Sequence, residues 1–127
     1  MSKLPIISIV KRFQFDSAHR LTGVPDDHPC SKLHGHTYNL EVEVKGVINP
    51  DMGWLMDYGD IKKIVKPLVD ILDHSYLNEI EDLNYTTAEE ISVWLWTRIK
   101  PSIPDLYRVS VSETPSSGCN YFGEYND

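Results

Sequence analysis

The chain of 127 residues lacks any long apolar run, since no stretch approaches the ~20 consecutive residues that a membrane-spanning helix needs. It also lacks an N-terminal stretch with the charged, apolar and small-residue layout of a secretory signal. We therefore expect a cytoplasmic protein that does not contact membranes. In that compartment the two cysteines of the chain, Cys30 and Cys119, are expected to remain free thiols.

Positive charge is also scarce. The 12 Lys and Arg residues are outnumbered by 19 Asp and Glu residues, and the net charge of −7 argues against nucleic acid as a partner, because phosphate contacts need a basic footprint. A small anionic ligand held by a few local cations remains compatible with this charge. The chain has no glycine-rich dinucleotide fingerprint, so we expect no nicotinamide cofactor. Without repeats, linkers or low-complexity tracts, residues 1–127 are expected to form a single domain.

Alternation of apolar and polar residues predicts strands. In the clearest case, the even-numbered residues of His34–Val44 lie on one face of the strand. The odd-numbered polar and charged residues, Asn39, Glu41, Glu43 and Lys45, lie on the other. The four predicted strands are Ile6–Phe15, His34–Val44, Leu106–Thr114 and Cys119–Glu124. In the third strand, Tyr107, Val109 and Val111 are expected on the inward face.

Apolar residues at helical spacing predict two helices between the second and third strands. The first is capped by Asp57 and contains Pro67, which would remove a backbone hydrogen bond. The second is capped by Thr86 or Thr87, and Pro101 and Pro104 end it. The order ββααββ predicts an α+β domain with a four-stranded antiparallel sheet and both helices on one face.

Three histidines share the inward faces of the first two strands. His34 and His36 point to the same side because they are two residues apart in a strand, and His19 continues the inward parity of the first strand. Three imidazoles with one open position are typical of a catalytic zinc site. The alternative is that these are core histidines whose nitrogens bond to backbone groups.

Cys30 lies in the predicted loop 21–33, four residues before His34. It could complete a Cys-His-His-His shell, which would make a closed structural zinc site. Alternatively, it stands free beside the metal as a thiolate that removes a proton. The spacing permits both roles.

Two further groups are candidates for acid–base or binding roles. Asp73 and His74 follow the first helix, where a carboxylate can orient an imidazole for proton relay, although a histidine there is also a simple helix-dipole contact. Glu113 continues the inward face of Val109 and Val111, where a carboxylate needs a strong partner such as the paired N–H groups of a pterin edge. Its alternative is a strand-end glutamate turned to solvent.

Four motifs, in this order along nearly the whole chain, resemble the 6-pyruvoyltetrahydropterin synthase family. They are Phe15-Asp16-Ser17-Ala18-His19-Arg20-Leu21, Cys30-x-x-x-His34-Gly35-His36, Leu72-Asp73-His74-Ser75-Tyr76-Leu77-Asn78 and Glu113-Thr114. The three-residue gap between Cys30 and His34 is similar to the bacterial branch that makes 6-carboxytetrahydropterin for queuosine. The ending Glu113–Cys119 also resembles that branch.

The resemblance implies the tunnelling fold, with sheets joined into trimeric barrels and two trimers stacked as a homohexamer. It implies zinc bound by His19, His34 and His36, with Cys30 as the base that removes a proton.

The resemblance also implies a proton relay formed by Asp73 and His74, which reaches the site from a neighbouring subunit. It implies that Glu113 anchors the pterin, aided by backbone groups near Thr87.

The family's substrate is 7,8-dihydroneopterin triphosphate, and the implied products are 6-carboxytetrahydropterin, acetaldehyde and triphosphate. A first alternative is the pyruvoyl-forming lyase on the same scaffold, which keeps the side-chain carbons. A second is a non-catalytic binding module stabilised by zinc with Cys30 as the fourth ligand.

Overall fold

The computed structural model describes residues 3–126 and contains five strands and two α-helices. In chain order these are β1 (Ile6–His19), β2 (His34–Val47), α1 (Tyr58–Leu72), β3 (Ser75–Tyr76), α2 (Ala88–Ile99), β4 (Leu106–Thr114) and β5 (Ser117–Tyr121). Single turns of 3₁₀ helix lie at Pro29–Ser31 and Leu77–Glu79. None of the helices within residues 3–126 combines the length and apolarity needed to cross a membrane.

The sheet has the order β3-β1-β2-β4-β5, and this corrects the prediction of four antiparallel strands. The additional strand, β3, is parallel to β1, with Ser17 opposite Ser75 and Ala18 opposite Tyr76. Its two residues are too few to show an alternating pattern, so the sequence carries no strand signal for them. The α+β class is confirmed, and the remaining neighbouring strands pair antiparallel as predicted.

One face of the sheet forms the core together with the two helices. Inward residues of β2 such as Leu40 and Val42 are fully buried, as are Ile61 of α1 and Leu95 of α2. Helix α1 packs on β1, whereas α2 packs on β4 and β5. Both helices therefore cover the face that the alternating pattern marked as apolar.

Two local expectations need correction. Tyr107 is exposed rather than inward, because a register shift pairs Val44 with Leu106 and leaves Tyr107 as an extra residue in β4. The final strand begins two residues earlier than predicted, at Ser117, and ends at Tyr121. Helix α1 continues through Pro67, so the backbone hydrogen bond that this proline cannot form does not end the helix.

Candidate active site

The antiparallel register of β1 and β2 brings the three histidines together. His19 lies directly opposite His34, and His36 lies opposite Ser17, so all three side chains leave the same face at one end of the hairpin. The Nε2 atoms of His19 and His34 are 3.0 Å apart. One nitrogen from each of the three rings lies within 4.8 Å of the other two. This clustering is the one that the sequence predicted.

Backbone carbonyls determine which nitrogens of two rings are free. The Nδ1 atom of His19 donates to the carbonyl of Thr86, and that of His34 donates to the carbonyl of Lys32, both at 2.7 Å. With the ring protons on Nδ1, the Nε2 lone pairs of His19 and His34 face each other and repel unless a cation lies between them. Metal-binding histidines commonly donate their second nitrogen to a carbonyl in this way.

His36 completes the case for a metal. Its Nε2 atom is buried and has no hydrogen-bond partner within residues 3–126, and the nearest carboxylate oxygen, of Glu113, is 3.7 Å away. An unpartnered buried nitrogen is costly, and a metal ion would satisfy it. Burial holds the pKa of His19 below its ordinary value, which favours the neutral imidazole that a metal requires. The alternative of core histidines satisfied by backbone therefore accounts only for the Nδ1 atoms of His19 and His34.

Cys30 lies outside the histidine cluster. It occupies the 3₁₀ turn at Pro29–Ser31 as a half-buried free thiol, and its sulfur is not among the atoms that lie within 4.8 Å of one another. The turn is held by hydrogen bonds from Leu21 N to the Cys30 carbonyl at 2.7 Å and from Cys30 N to His28 Nδ1 at 3.0 Å. Among the described residues the cluster thus offers three nitrogen ligands, the number typical of an open zinc site.

Asp73 and His74 form a pair, with His74 Nδ1 2.9 Å from Asp73 Oδ2. The hydrogen bond with Asp73 raises the pKa of His74 above its ordinary value. The Asp16 backbone N–H, which also bonds to Asp73, is the first cause that lowers the pKa of that carboxyl. Both effects favour the ion pair.

The structure does not bring this pair to the histidine cluster of the same chain. It lies beside Asp16 and Thr37, whose side chains alternate with those of Ser17 and His36 and so point from the opposite face of the sheet. An open cleft of about 620 Å³ at this edge of the sheet is lined by Asp16, Thr37 and His74, and also by Ser17 and His36. One chain therefore presents the pair and the cluster on different faces.

Glu113 lies inward, partly buried, between His36 and a second cavity of about 250 Å³. The other residues that line this cavity are Ala88 and Glu89 at the start of α2 and Ser117, Gly118 and Cys119 of β5. Thr87 is not among the lining residues. Its Oγ1 instead accepts the Glu90 N–H at 3.2 Å as the cap of α2, which confirms the predicted helix start.

A sequence model of the family described as 6-pyruvoyl tetrahydropterin synthase matches residues 8–124. The chain belongs to this family. Its fold agrees with that of 6-pyruvoyl tetrahydropterin synthase from Caenorhabditis elegans, with a TM-score of 0.88, 27% identity, and coverage of 98% of this chain and 100% of that one. The tunnelling fold that the resemblance implied is thus confirmed.

Relatives within the family carry different activities. This chain is 35% identical over 131 residues to the 6-pyruvoyl tetrahydrobiopterin synthase of Dictyostelium discoideum, covering 93% of this chain and 97% of that protein. It is 34% identical over 120 residues to the 6-carboxy-5,6,7,8-tetrahydropterin synthase of Synechocystis, covering 90% and 92%. It is 42% identical over 96 residues to the dihydroneopterin monophosphate aldolase of Pyrococcus furiosus, covering 76% and 77%. At this level the protein is a pterin-converting lyase of the family.

Sequence reasoning missed several groups of the site. The carbonyls of Thr86 and Lys32 orient the imidazoles, but every residue has a carbonyl, so no residue type signals this role. Cys119, for which the sequence predicts no more than a free thiol, lines the cavity beside Glu113. Burial raises the pKa of its thiol, which keeps the thiol protonated.

We predict that the wild-type chain holds one zinc ion and that His36→Gln lowers zinc affinity more than about 100-fold, since losing a ligand costs more than losing a ligand's supporting partner. The measurement is zinc per chain by inductively coupled plasma mass spectrometry after dialysis against a weak chelator. His28→Gln, which changes a histidine outside the cluster, is the matched control and should retain zinc. Equal zinc in both variants would contradict the assignment.

Proposed function

We propose that this chain is a zinc-dependent 6-carboxytetrahydropterin synthase of queuosine biosynthesis. It would convert 7,8-dihydroneopterin triphosphate and one water to 6-carboxytetrahydropterin, acetaldehyde and triphosphate. The observation that carries the proposal is a cluster of three nitrogen ligands with Cys30 close in sequence but outside it. The three-residue gap between Cys30 and His34 is similar to the spacing in the carboxy-forming branch. The Synechocystis relative is named as a 6-carboxy-5,6,7,8-tetrahydropterin synthase.

His19, His34 and His36 would hold the metal through their free nitrogens. Zinc bound there would act as a Lewis acid that makes protons on and next to the substrate's side-chain hydroxyls easier to remove. The carbonyl contacts of Thr86 and Lys32 keep two of the imidazoles in the tautomer that this role needs.

Cys30 would serve as the base. A thiolate at this position takes a carbon-bound proton from the substrate side chain, and the return of a proton to the ring reduces the pterin internally. The hydrogen bonds that fix the Cys30 carbonyl and amide hold the turn in place while leaving the thiol free. These features support a proton-transfer role over a fourth-ligand role.

Glu113 would anchor the pterin. Its carboxylate can accept two N–H groups from the amino-pyrimidine edge of the ring, and it adjoins both His36 and a cavity of about 250 Å³. Backbone near Thr87 remains the proposed second contact, since the next residue, Ala88, lines the same cavity.

Asp73 and His74 would act on the site of a neighbouring subunit. Asp73 orients His74 and stabilises its charged form, so that His74 can donate or accept a proton late in the reaction. The pair lies on the face opposite the chain's own histidine cluster, which supports the proposed homohexamer with sites shared between subunits.

The alternative activity is 6-pyruvoyltetrahydropterin formation, favoured by the Dictyostelium relative. Mass spectrometry of the products formed from 7,8-dihydroneopterin triphosphate separates the two. We expect 6-carboxytetrahydropterin and acetaldehyde, both lost when a zinc chelator is added. A 6-pyruvoyl product would show that the alternative activity is the right one. Absence of any product from zinc-loaded protein would contradict both proposed activities.

Cys30→Ala is expected to retain zinc while lowering kcat by at least about 100-fold, because general-base catalysis contributes 10²–10⁴-fold. Zinc content and thermal unfolding are measured beside turnover. Ser102→Ala is the matched control, since it makes a similarly small truncation at an exposed residue after α2, away from the histidine cluster and the Glu113 cavity. Loss of zinc and of folding in Cys30→Ala would instead favour the zinc-stabilised binding module.

Mixing two inactive variants tests the shared site. If Cys30 and His74 of one site come from different subunits, then co-refolding Cys30→Ala with His74→Ala restores intact sites. Random 1:1 assembly would then give about a quarter of wild-type activity, since each site draws its two residues independently. No recovery from the mixed oligomer, despite proven subunit exchange, would place both residues in one chain's site.

A further inference from the structure

The turn that carries Asp73 and His74 is fixed by the backbone of Asp16. The amide N–H of Asp16 donates to Asp73 Oδ1 at 2.9 Å, and the carbonyl of Asp16 accepts the N–H of His74 at 2.6 Å. His74 has a φ of 53°, which is uncommon for a residue with a side chain and persists only where the surroundings enforce it. Asp16 thus supplies part of that enforcement.

The side chain of Asp16 faces the same pair. Its Oδ1 atom accepts a hydrogen bond from Thr37 Oγ1 at 2.5 Å, which anchors the carboxylate on β2. One ligand atom each of Asp16, Asp73 and His74 lies within 4.8 Å of the other two. An imidazole flanked by two carboxylates experiences negative charge from both.

Lys66 of α1 also acts on Asp73. Lys66 itself pairs with Asp70 on the same helix. The charged groups that face His74 itself are the carboxylates of Asp73 and Asp16.

We propose that Asp16 is a positioning residue for the reaction: its backbone holds the turn that carries Asp73 and His74, and its carboxylate, anchored by Thr37, faces the pair and stabilises the charged imidazole. The inference deepens the proposed function and rests on it for the catalytic use of His74. Asp16 acts through the pair, since its contacts are with Thr37 and with the turn that carries Asp73 and His74.

The test is Asp16→Asn, which removes the charge but keeps the size of the side chain, the backbone contacts and an oxygen that accepts from Thr37. Histidine titration by NMR, assigned with His74→Gln, should give a lower pKa for His74 than in the wild type. In the dependence of kcat on pH, the fall that accompanies deprotonation of His74 should move to lower pH in parallel. The KM should stay unchanged. Above that midpoint we expect kcat to fall about two- to fivefold, the size of one exposed charge contact.

Two further variants make the result specific. Asp51→Asn removes the same charge from the turn at the other end of the hairpin, about 30 Å along the strands, and should shift nothing. Asp16→Glu restores the charge and should return the midpoint towards that of the wild type. A merely structural role for Asp16 would lower kcat at every pH without moving the midpoint, and that result would overturn the proposal.

An unchanged His74 midpoint in Asp16→Asn would overturn the proposal as well. The NMR titration requires no substrate, so its outcome is separate from that of the proposed reaction. A shifted His74 midpoint in a protein that converts no pterin substrate would count against the proposed reaction and in favour of the coupling between Asp16 and His74.

Discussion

The pairing of His19 with His34 across the β1–β2 hairpin is the constraint on which the site depends. Because side chains alternate along a strand, a register slip of one residue would turn the imidazoles of one strand to the opposite face. The register is fixed by the apolar residues further along the same strands, such as Phe15 and Leu40, which are buried only in this alignment. The core therefore determines the geometry of the metal site without contributing a ligand to it.

The parts of the site that sequence could predict are those that alternation encodes. The shared face of His34, His36 and His19 follows from parity, and so does the inward position of Glu113. Alternation gives the wrong face for Tyr107, because one extra residue in β4 shifts the pairing register. No residue type in the sequence indicates such a shift. The carbonyl partners of His19 and His34 were equally hidden, since they depend on how a loop and the start of α2 return to the hairpin.

The pair formed by Asp73 and His74 was recognised from sequence, but its position depends on the short parallel strand β3. Ser75 and Tyr76 follow α1 and dock against Ser17 and Ala18, which carries the pair to the edge of the sheet. Two strand residues leave no periodic signal, so only the three-dimensional path of the chain separates the pair from the histidine cluster. That separation is what makes a single chain incomplete for the proposed chemistry.

The surface opposite the core argues for association through strand edges. On that face Arg108 bonds to Glu43 at 2.5 Å and to Glu41 at 2.9 Å, and Glu41 also pairs with Arg12. Such mutually satisfied charges offer little apolar area to a partner. Within residues 3–126, by contrast, β3 covers β1 only at Ser17 and Ala18, which leaves most of one long edge open.

At the other end of the sheet, no strand of the described part of the chain pairs with the outer edge of β5. Open edges are templates for pairing with another chain. Joining β1 of one copy to β5 of the next would pair both edges. It would also bring the Asp73–His74 pair beside β1 of one chain towards the Glu113 cavity, which β5 of the next chain lines. Backbone pairing at the edges thus gives a physical reason for the proposed assembly and for a site shared between subunits.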